Sequence, residues 1–322
     1  MRLRSPLTSL SFIFAFLYLP LFGGIEDHFK PCENKSLSPS ESIEGIDYIY
    51  LINLDKRSDR LKESLNQLKR YSITPYRFSA IQGSSLSYET LSDIAVPYEN
   101  SMKVEQWAHE VTPDIEQKDD FDYIFLTRYT PNSSIILSQW TKKGAIGCAL
   151  SHLSILKDAY ESGYETIWVL EDDLKIQSNP LVISTLIKQL DDLTDGNWDV
   201  LYTDSTGIEI NTEDPKELWW MWRPEEHLSE GKNFAFRKPI SKEFIAVGSH
   251  TRTHSMIIRR SGMEKILNHV KDNHLYLPID HEIAFAPDIN LYVTSQSLVT
   301  YRDTPSDIQL ETNVPLIFEN NS

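Results

Sequence analysis

The chain has 322 residues, 40% hydrophobic and 24% charged, enough material for one large or two small packed domains and not the make-up of a disordered chain. Lysine and arginine number 31 against 47 acids, a formal charge of −16 that argues against a nucleic-acid partner but not against a phosphorylated ligand neutralised by a cation. Two cysteines, Cys32 and Cys148, exclude a disulfide framework, and Cys148 falls in an apolar helical pattern suited to core packing.

At the N-terminus, Arg2 and Arg4 precede an apolar stretch, residues 10–22, that is short for crossing a bilayer. Residues 1–24 read as a secretory signal or, because Leu21 and Phe22 disfavour cleavage, as a membrane anchor. The positive charges before it place the rest of the chain outside the cytosol, so a secretory or membrane-associated location is expected. Residues 25–45 are polar and irregular and read as a linker; the folded domain is expected over residues 46–322.

Residues 46–54, mostly apolar and rich in β-branched and aromatic types, predict a buried first strand. Ser58 is placed to cap a helix whose Leu61, Leu65 and Leu68 share a face, and residues 74–79 predict a second strand before a turn at Gly83. This order predicts an α/β fold with a parallel sheet. Residues 84–140 lose periodicity and read as an irregular insertion. A helix follows through Ile146, Ala149, Leu150, Leu153 and Leu156, ending at Gly163.

Next comes the most informative segment. Residues 166–170 form an apolar strand that runs into Glu171, Asp172 and Asp173. In open α/β sheets, ligands sit beyond the carboxyl ends of the strands. Three carboxylates there repel one another unless a hard divalent cation sits among them, and such ions often bridge a diphosphate. A solvated acidic turn is the plain alternative. Downstream, Ser178 or Asn179, then Pro180, open a further helix, residues 198–202 form a strand, and residues 206–243 are a second irregular insertion with Trp219, Trp220 and Trp222 close together. Ser261 and Glu264 form a capping box for the last helix.

Four segments in order resemble glycosyltransferase family 25, which includes lipooligosaccharide and collagen galactosyltransferases: residues 50–60 (YLINLDKRSDR), 144–152 (GAIGCALSH), 170–173 (LEDD) and 277–281 (LPIDH). Weaker echoes lie at 78–83, 198–202 and 306–308. The resemblance implies a GT-A-like nucleotide-binding sheet with helices on both faces. It also implies metal-dependent transfer of a sugar, commonly galactose, from a UDP donor to a glycan or to a protein- or lipid-linked acceptor, as in lipopolysaccharide biosynthesis, often with inversion. Manganese is the expected cation.

On that basis Asp173 is expected to coordinate the metal, Glu171 to bind it through water or hold the ribose, and Asp172 to be structural. Asn53, Asp55, Arg57 and Arg60 follow the first strand, where the nucleotide is expected. Ser151 and His152 point about 100° apart on a helix and so cannot form a nucleophilic dyad; they are expected to bond the donor or the acidic motif, or to be core residues. Asp280, with Glu282 second, is the expected base for the acceptor hydroxyl. His254, or His250, is expected as a further metal ligand. Arg252 departs from the family, whose members usually carry glycine there. A catalytically inactive, glycan- or protein-binding relative and a magnesium-dependent phosphohydrolase are the rival readings.

Overall fold

The computed structural model describes residues 24–35, 43–99, 102, 108–110, 135–207, 218 and 221–303. The apolar N-terminal stretch, Trp219, Trp220 and the 306–308 segment lie outside the described residues. In chain order the strands and helices begin with β1 (Tyr48–Asn53), α1 (Ser58–Lys69), β2 (Tyr76–Ser79), α2 (Tyr88–Ile94), β3 (Val96–Pro97), β4 (Ala108–Glu110), β5 (Ile135–Ser138) and α3 (Lys143–Glu161). They continue with β6 (Thr166–Glu171), β7 (Leu174–Ile176), α4 (Ile183–Thr194), β8 (Val200–Tyr202), β9 (Arg237–Pro239) and β10 (Phe244–Val247). The last are β11 (Ser255–Arg259), α5 (Arg260–Asn273), α6 (Ile279–Glu282), β12 (Leu291–Thr294) and β13 (Val299–Tyr301).

Eight strands form one central sheet in the order β2-β1-β6-β11-β8-β12-β10-β9. β1 is parallel to β2 and β6, whereas β11 runs antiparallel to both β6 and β8. The sheet is therefore mixed, not parallel throughout as the early βαβ order suggested. This geometry positions the site: the carboxyl ends of β2, β1, β6 and β8 reach the same edge as the amino end of β11. Residues preceding β11 thus face residues following β6 and β8.

β1 is buried along its whole length because it is covered on both faces. Tyr48, Tyr50 and Ile52 join one core with Ile146, Leu150 and Leu153 of α3 and Met263, Ile266 and Val270 of α5. Ile49 and Leu51 alternate to the opposite core, with Leu68 of α1 and Ile187 and Leu190 of α4. Helices on both faces of a mixed sheet make a GT-A-like α/β fold. No helix among the described residues is long and apolar enough to cross a membrane.

Three local expectations are corrected. Ser58 is the first helical residue, not a cap that bonds the first turn. Ser261 makes no capping box, because its hydroxyl donates to Asp199 Oδ1 at 2.6 Å. The supposed linker is partly docked: Ile25 is buried, Lys30 Nζ donates to Ser79 O and Oγ, and Lys35 Nζ pairs with Asp158 among the rings of Tyr48, Tyr50 and Tyr164.

The 84–140 insertion also carries order. α2 and a small β3-β5-β4 sheet bury Leu91, Ile94, Ile136 and Leu137. Leu275 N donates to Ile94 O and Ser138 N to Tyr276 O, so this region fixes the connection into α6.

Candidate active site

β6 crosses the core with Ile167 to Leu170 fully buried and emerges at Glu171. The three acids that follow the apolar run then take three different environments. The Asp172 carboxylate turns inward, accepting from Asn53 Nδ2 at 2.6 Å and lying 3.5 Å from Arg60 Nη1. Its carbonyl accepts from Ser64 Oγ and Arg302 Nη2. Burial pushes this carboxyl up, while Asn53 and Arg60 pull it back. Asp172 is an anchor for the turn.

Asp173 has no such company. Its Oδ1 is buried without a hydrogen-bond partner among the described residues. Burial, reinforced by the charge of Glu171, raises its carboxyl to about 6. An unpartnered buried carboxylate oxygen costs about 1–3 kcal/mol. A hard divalent ion is the partner that oxygen donors of this kind suit, so the residues present fit the cation that the acidic motif suggested.

Glu171 is half-buried, 3.0 Å from His152 Nε2 and accepting from Thr253 Oγ1 at 2.7 Å. Burial alone would raise its carboxyl, but His152, Thr253 and the charge of His254 outweigh it and hold it below the usual range. His152 is fully buried, and its Nδ1 has no partner among the described residues. Cys148, one helical turn before His152, completes a group whose ligand atoms lie within 4.8 Å of one another. Burial and the charges of Glu171, Asp280 and Asp173 push the Cys148 thiol well up.

A cleft open to solvent sits on this edge. The acidic triplet lines it together with Asn53, Lys56, Arg60, Gln82, Cys148 and Ser151. Its floor depends on two glycines. A Cβ on Gly83 would come within 1.8 Å of Lys143 O, and one on Gly147 within 2.6 Å of Ile81 O. Backbone thus packs on backbone, and the amino end of α3 reaches the cleft through Gly144. Amide groups at a helix amino end favour anions.

Several expected ligands are already engaged within the protein. Asn53 gives Nδ2 to Arg57 O and Asp172 and takes Arg77 Nε at its Oδ1, which leaves it committed to the scaffold and not to uracil. Asp55 is exposed, held by Arg77 and Ser79, and its carboxyl is lowered chiefly by the Arg77 bond; it lies outside the cleft lining. Arg57 pairs with Asp59 at the surface and is likewise outside. Arg60 lines the cleft but sits against Asp172. Ser151 Oγ donates to Gly147 O and accepts from Ile81 N, a clamp between α3 and the β2 turn. Lys56 lines the cleft and was not singled out from sequence, although it lies inside the 50–60 motif.

On the β11 side, three consecutive residues serve three carboxylates. Arg252 N donates to Asp280 Oδ2 at 2.8 Å, Thr253 Oγ1 to Glu171, and His254 Nε2 lies 3.0 Å from Asp204 Oδ2. His254 thus faces a buried carboxylate, with Nε2 at ion-pair distance from Asp204 but without a well-aligned hydrogen bond. Asp204 escaped the sequence reading. It is buried, and although burial opposes it, His254 and Thr206 hold its carboxyl far below the usual range. His250 is also structural: it stacks on Tyr202 at 4.0 Å, bonds Asp204 O, and is lowered by burial to about 4. Arg252 has φ +78, a left-handed backbone that glycine adopts more easily.

Asp280 opens α6, with Oδ1 accepting from His281 N and its side chain 20% exposed. Glu282 is a different kind of acid. It is fully buried, taking Arg223 Nη1, Tyr276 N and Leu277 N at Oε1 and His269 at Oε2. Those partners hold its carboxyl at about 2 against burial. With no exposed oxygen, Glu282 cannot serve as a base toward an acceptor; it fixes the start of α6 and hence Asp280.

The chain has relatives among known proteins. The chain is 28% identical over 160 residues to a "Glycosyltransferase 25 family member" of Aedes aegypti, covering 49% of this chain and 21% of the relative. It is 26% identical over 168 residues to "Procollagen galactosyltransferase 2" of Mus musculus, covering 52% and 22%. An "Inactive glycosyltransferase 25 family member 3" of Mus musculus matches at 24% over 164 residues, 49% and 22%. The matched region spans less than a quarter of each of these relatives. Residues 46–283 match the sequence profile of Glycosyltransferase family 25 (LPS biosynthesis protein), and the chain belongs to that family.

Proposed function

We propose that the chain transfers a sugar, galactose by the name of its collagen-modifying relative, from a UDP donor to an acceptor hydroxyl on a glycan or on a protein- or lipid-linked substrate. The observation that carries this reading is the unpartnered Asp173 oxygen at the carboxyl edge of the sheet, beside an open cleft. Asp173 and Glu171 are the residues to hold a divalent ion, manganese by expectation; when bound, such an ion acts as a Lewis acid toward a diphosphate leaving group. Lys56 and the amino end of α3 add positive potential to the same cleft.

Asp280 is the base of the proposed inverting transfer. Its side chain is partly exposed at the helix start, and the amides of Arg252 and His281 orient its two oxygens. Each amide bond leaves further lone pairs to accept a proton from the acceptor hydroxyl. The pairing of Asp280 with Glu282 is one of division: the first reaches solvent, the second anchors it. Delivery to the secretory route or to a membrane through residues 1–24 belongs to this proposal as well.

The deciding experiment measures sugar transfer and UDP-sugar hydrolysis by the full chain, with manganese and with chelator, for the parent and Asp173→Asn. Metal-dependent turnover in the parent and none in the variant is expected. Full activity in chelator would overturn the reading. The inactive relative motivates a second reading, a donor-binding protein without transfer. UDP binding with no turnover of any UDP-sugar would establish it.

A further inference from the structure

Beside the hard-ion site lies a group of softer chemistry. Cys148 and His152 are four residues apart on α3, so both project from one face toward the end of β6. There the Cys148 sulfur, a His152 ring nitrogen and a Glu171 carboxylate oxygen lie within 4.8 Å of one another. A tetrahedral zinc ion, with bonds of about 2.0–2.3 Å, spaces its ligand atoms by about 3.5 Å, so small side-chain shifts would close the group around one ion. His152 Nε2 and Glu171 Oε1 are already 3.0 Å apart.

His152 is 1% exposed and the nitrogen nearest Glu171 is Nε2, so Nε2 is the ligand atom and Nδ1, without a hydrogen-bond partner among the described residues, is the outer nitrogen of the ring. Cys148 and Glu171 both line the cleft, which gives an ion an entry path and leaves a coordination position open toward solvent.

We propose that Cys148, His152 and Glu171 form a second cation site, selective for thiophilic ions of the zinc class, with a fourth position facing the cleft. The selectivity follows from the donors. Thiolate and imidazole favour zinc and its neighbours, whereas manganese and magnesium favour oxygen sets such as the one at Asp173. Coordination would release the thiol proton to solvent. It would also draw on the Glu171 carboxylate, so the two sites share a residue while differing in the ion they accept.

Cobalt(II) is the probe, because a thiolate bound to it gives a charge-transfer band in the near ultraviolet that oxygen-only sites lack. Metal-stripped full-length protein is titrated with cobalt(II), then with zinc(II). The expected result is a one-thiolate band that zinc abolishes, retained in Cys32→Ser and lost in Cys148→Ser with unchanged circular dichroism. No band in the parent at saturating cobalt, or a band lost in Cys32→Ser, would overturn the proposal. Should Cys148→Ser fold poorly, the Cys32→Ser result alone assigns the thiolate, since the chain has two cysteines. The readout does not depend on sugar transfer.

Discussion

Two acids with buried oxygens, the half-buried Asp173 and the fully buried Glu282, show how opposite the consequences of burial can be. Around Glu282, Arg223, His269 and two backbone amides meet every demand of the carboxylate. Around Asp173, one oxygen is buried with no described partner and the nearest charges include another carboxylate. The first arrangement is complete within the protein and acts as an internal brace. The second is complete only with a cation from outside. A buried acid is therefore read by its missing partners more than by its depth.

The largest effect expected falls on Asp280, which the Glu282 cluster holds in place. Asp280→Asn should lower transfer by roughly 10²–10⁴-fold while UDP affinity stays near the parent value. Loss of UDP binding together with activity would transfer Asp280 to the donor side and dissolve the division of labour between it and Glu282.

Next is the brace itself. Glu282→Gln removes one of the two carboxylates that pair with buried Arg223, Glu225 being the other, so a loss at or below the roughly 3–5 kcal/mol of breaking a buried pair is expected. Thermal unfolding of the variant reads this directly, and an unchanged midpoint would mean that the cluster is not stabilising. The two acids should also differ in sign with pH. Glu282 has its carboxyl lowered from 4.5 to about 2, so its contribution is present above pH 4.5 and disappears as pH falls toward 2. Asp173 is raised from 3.8 to about 6, so its penalty is present above pH 6 and is relieved as pH falls toward 4.

Asp173→Asn should accordingly stabilise the protein in chelator at pH 7.5, by about 1–3 kcal/mol, and should flatten the gain in stability between pH 7 and 5. Calorimetry across that range tests it; a destabilised variant would show that Asp173 has a partner after all. The smallest effect concerns Arg252. Arg252→Gly removes a side chain from left-handed backbone and should raise stability by about 1 kcal/mol, since strain of this kind costs about 1–3 kcal/mol. No rise in midpoint would mean that the stacking of the guanidinium on Tyr301, at 4.4 Å, offsets the strain.

Legibility of the sequence followed the range of the forces involved. β1 and β6 were readable because a strand covered on both faces needs a continuous apolar run, and Glu171 to Asp173 were readable because the run ends there. Asp204 was not, because apart from Thr206 its partners Ser297 and His254 come from separated segments and give no local pattern. Glu282 looked like an exposed second acid in a short helix; only Arg223, buried in a stretch without periodicity, reveals its role. Asn53 and Arg60 sat where a nucleotide was expected, but a neighbouring acid takes them first. The docked segment before β1 looked like a linker because its polar residues bind through Lys30 and Lys35, which composition cannot distinguish from solvated lysines.

The tripeptide Arg252-Thr253-His254 constrains how this site can change over generations. Adjacent residues entering a strand point to opposite sides, so Thr253 and His254 address different acids by position in the chain. Loss or gain of one residue before Ser255 would present imidazole where hydroxyl belongs and break three bonds at once. Replacement of a single side chain disturbs one bond only. Diversification here is open to substitution and closed to changes in length, since Arg252 bonds Asp280 through its backbone amide, which any side chain but proline leaves in place.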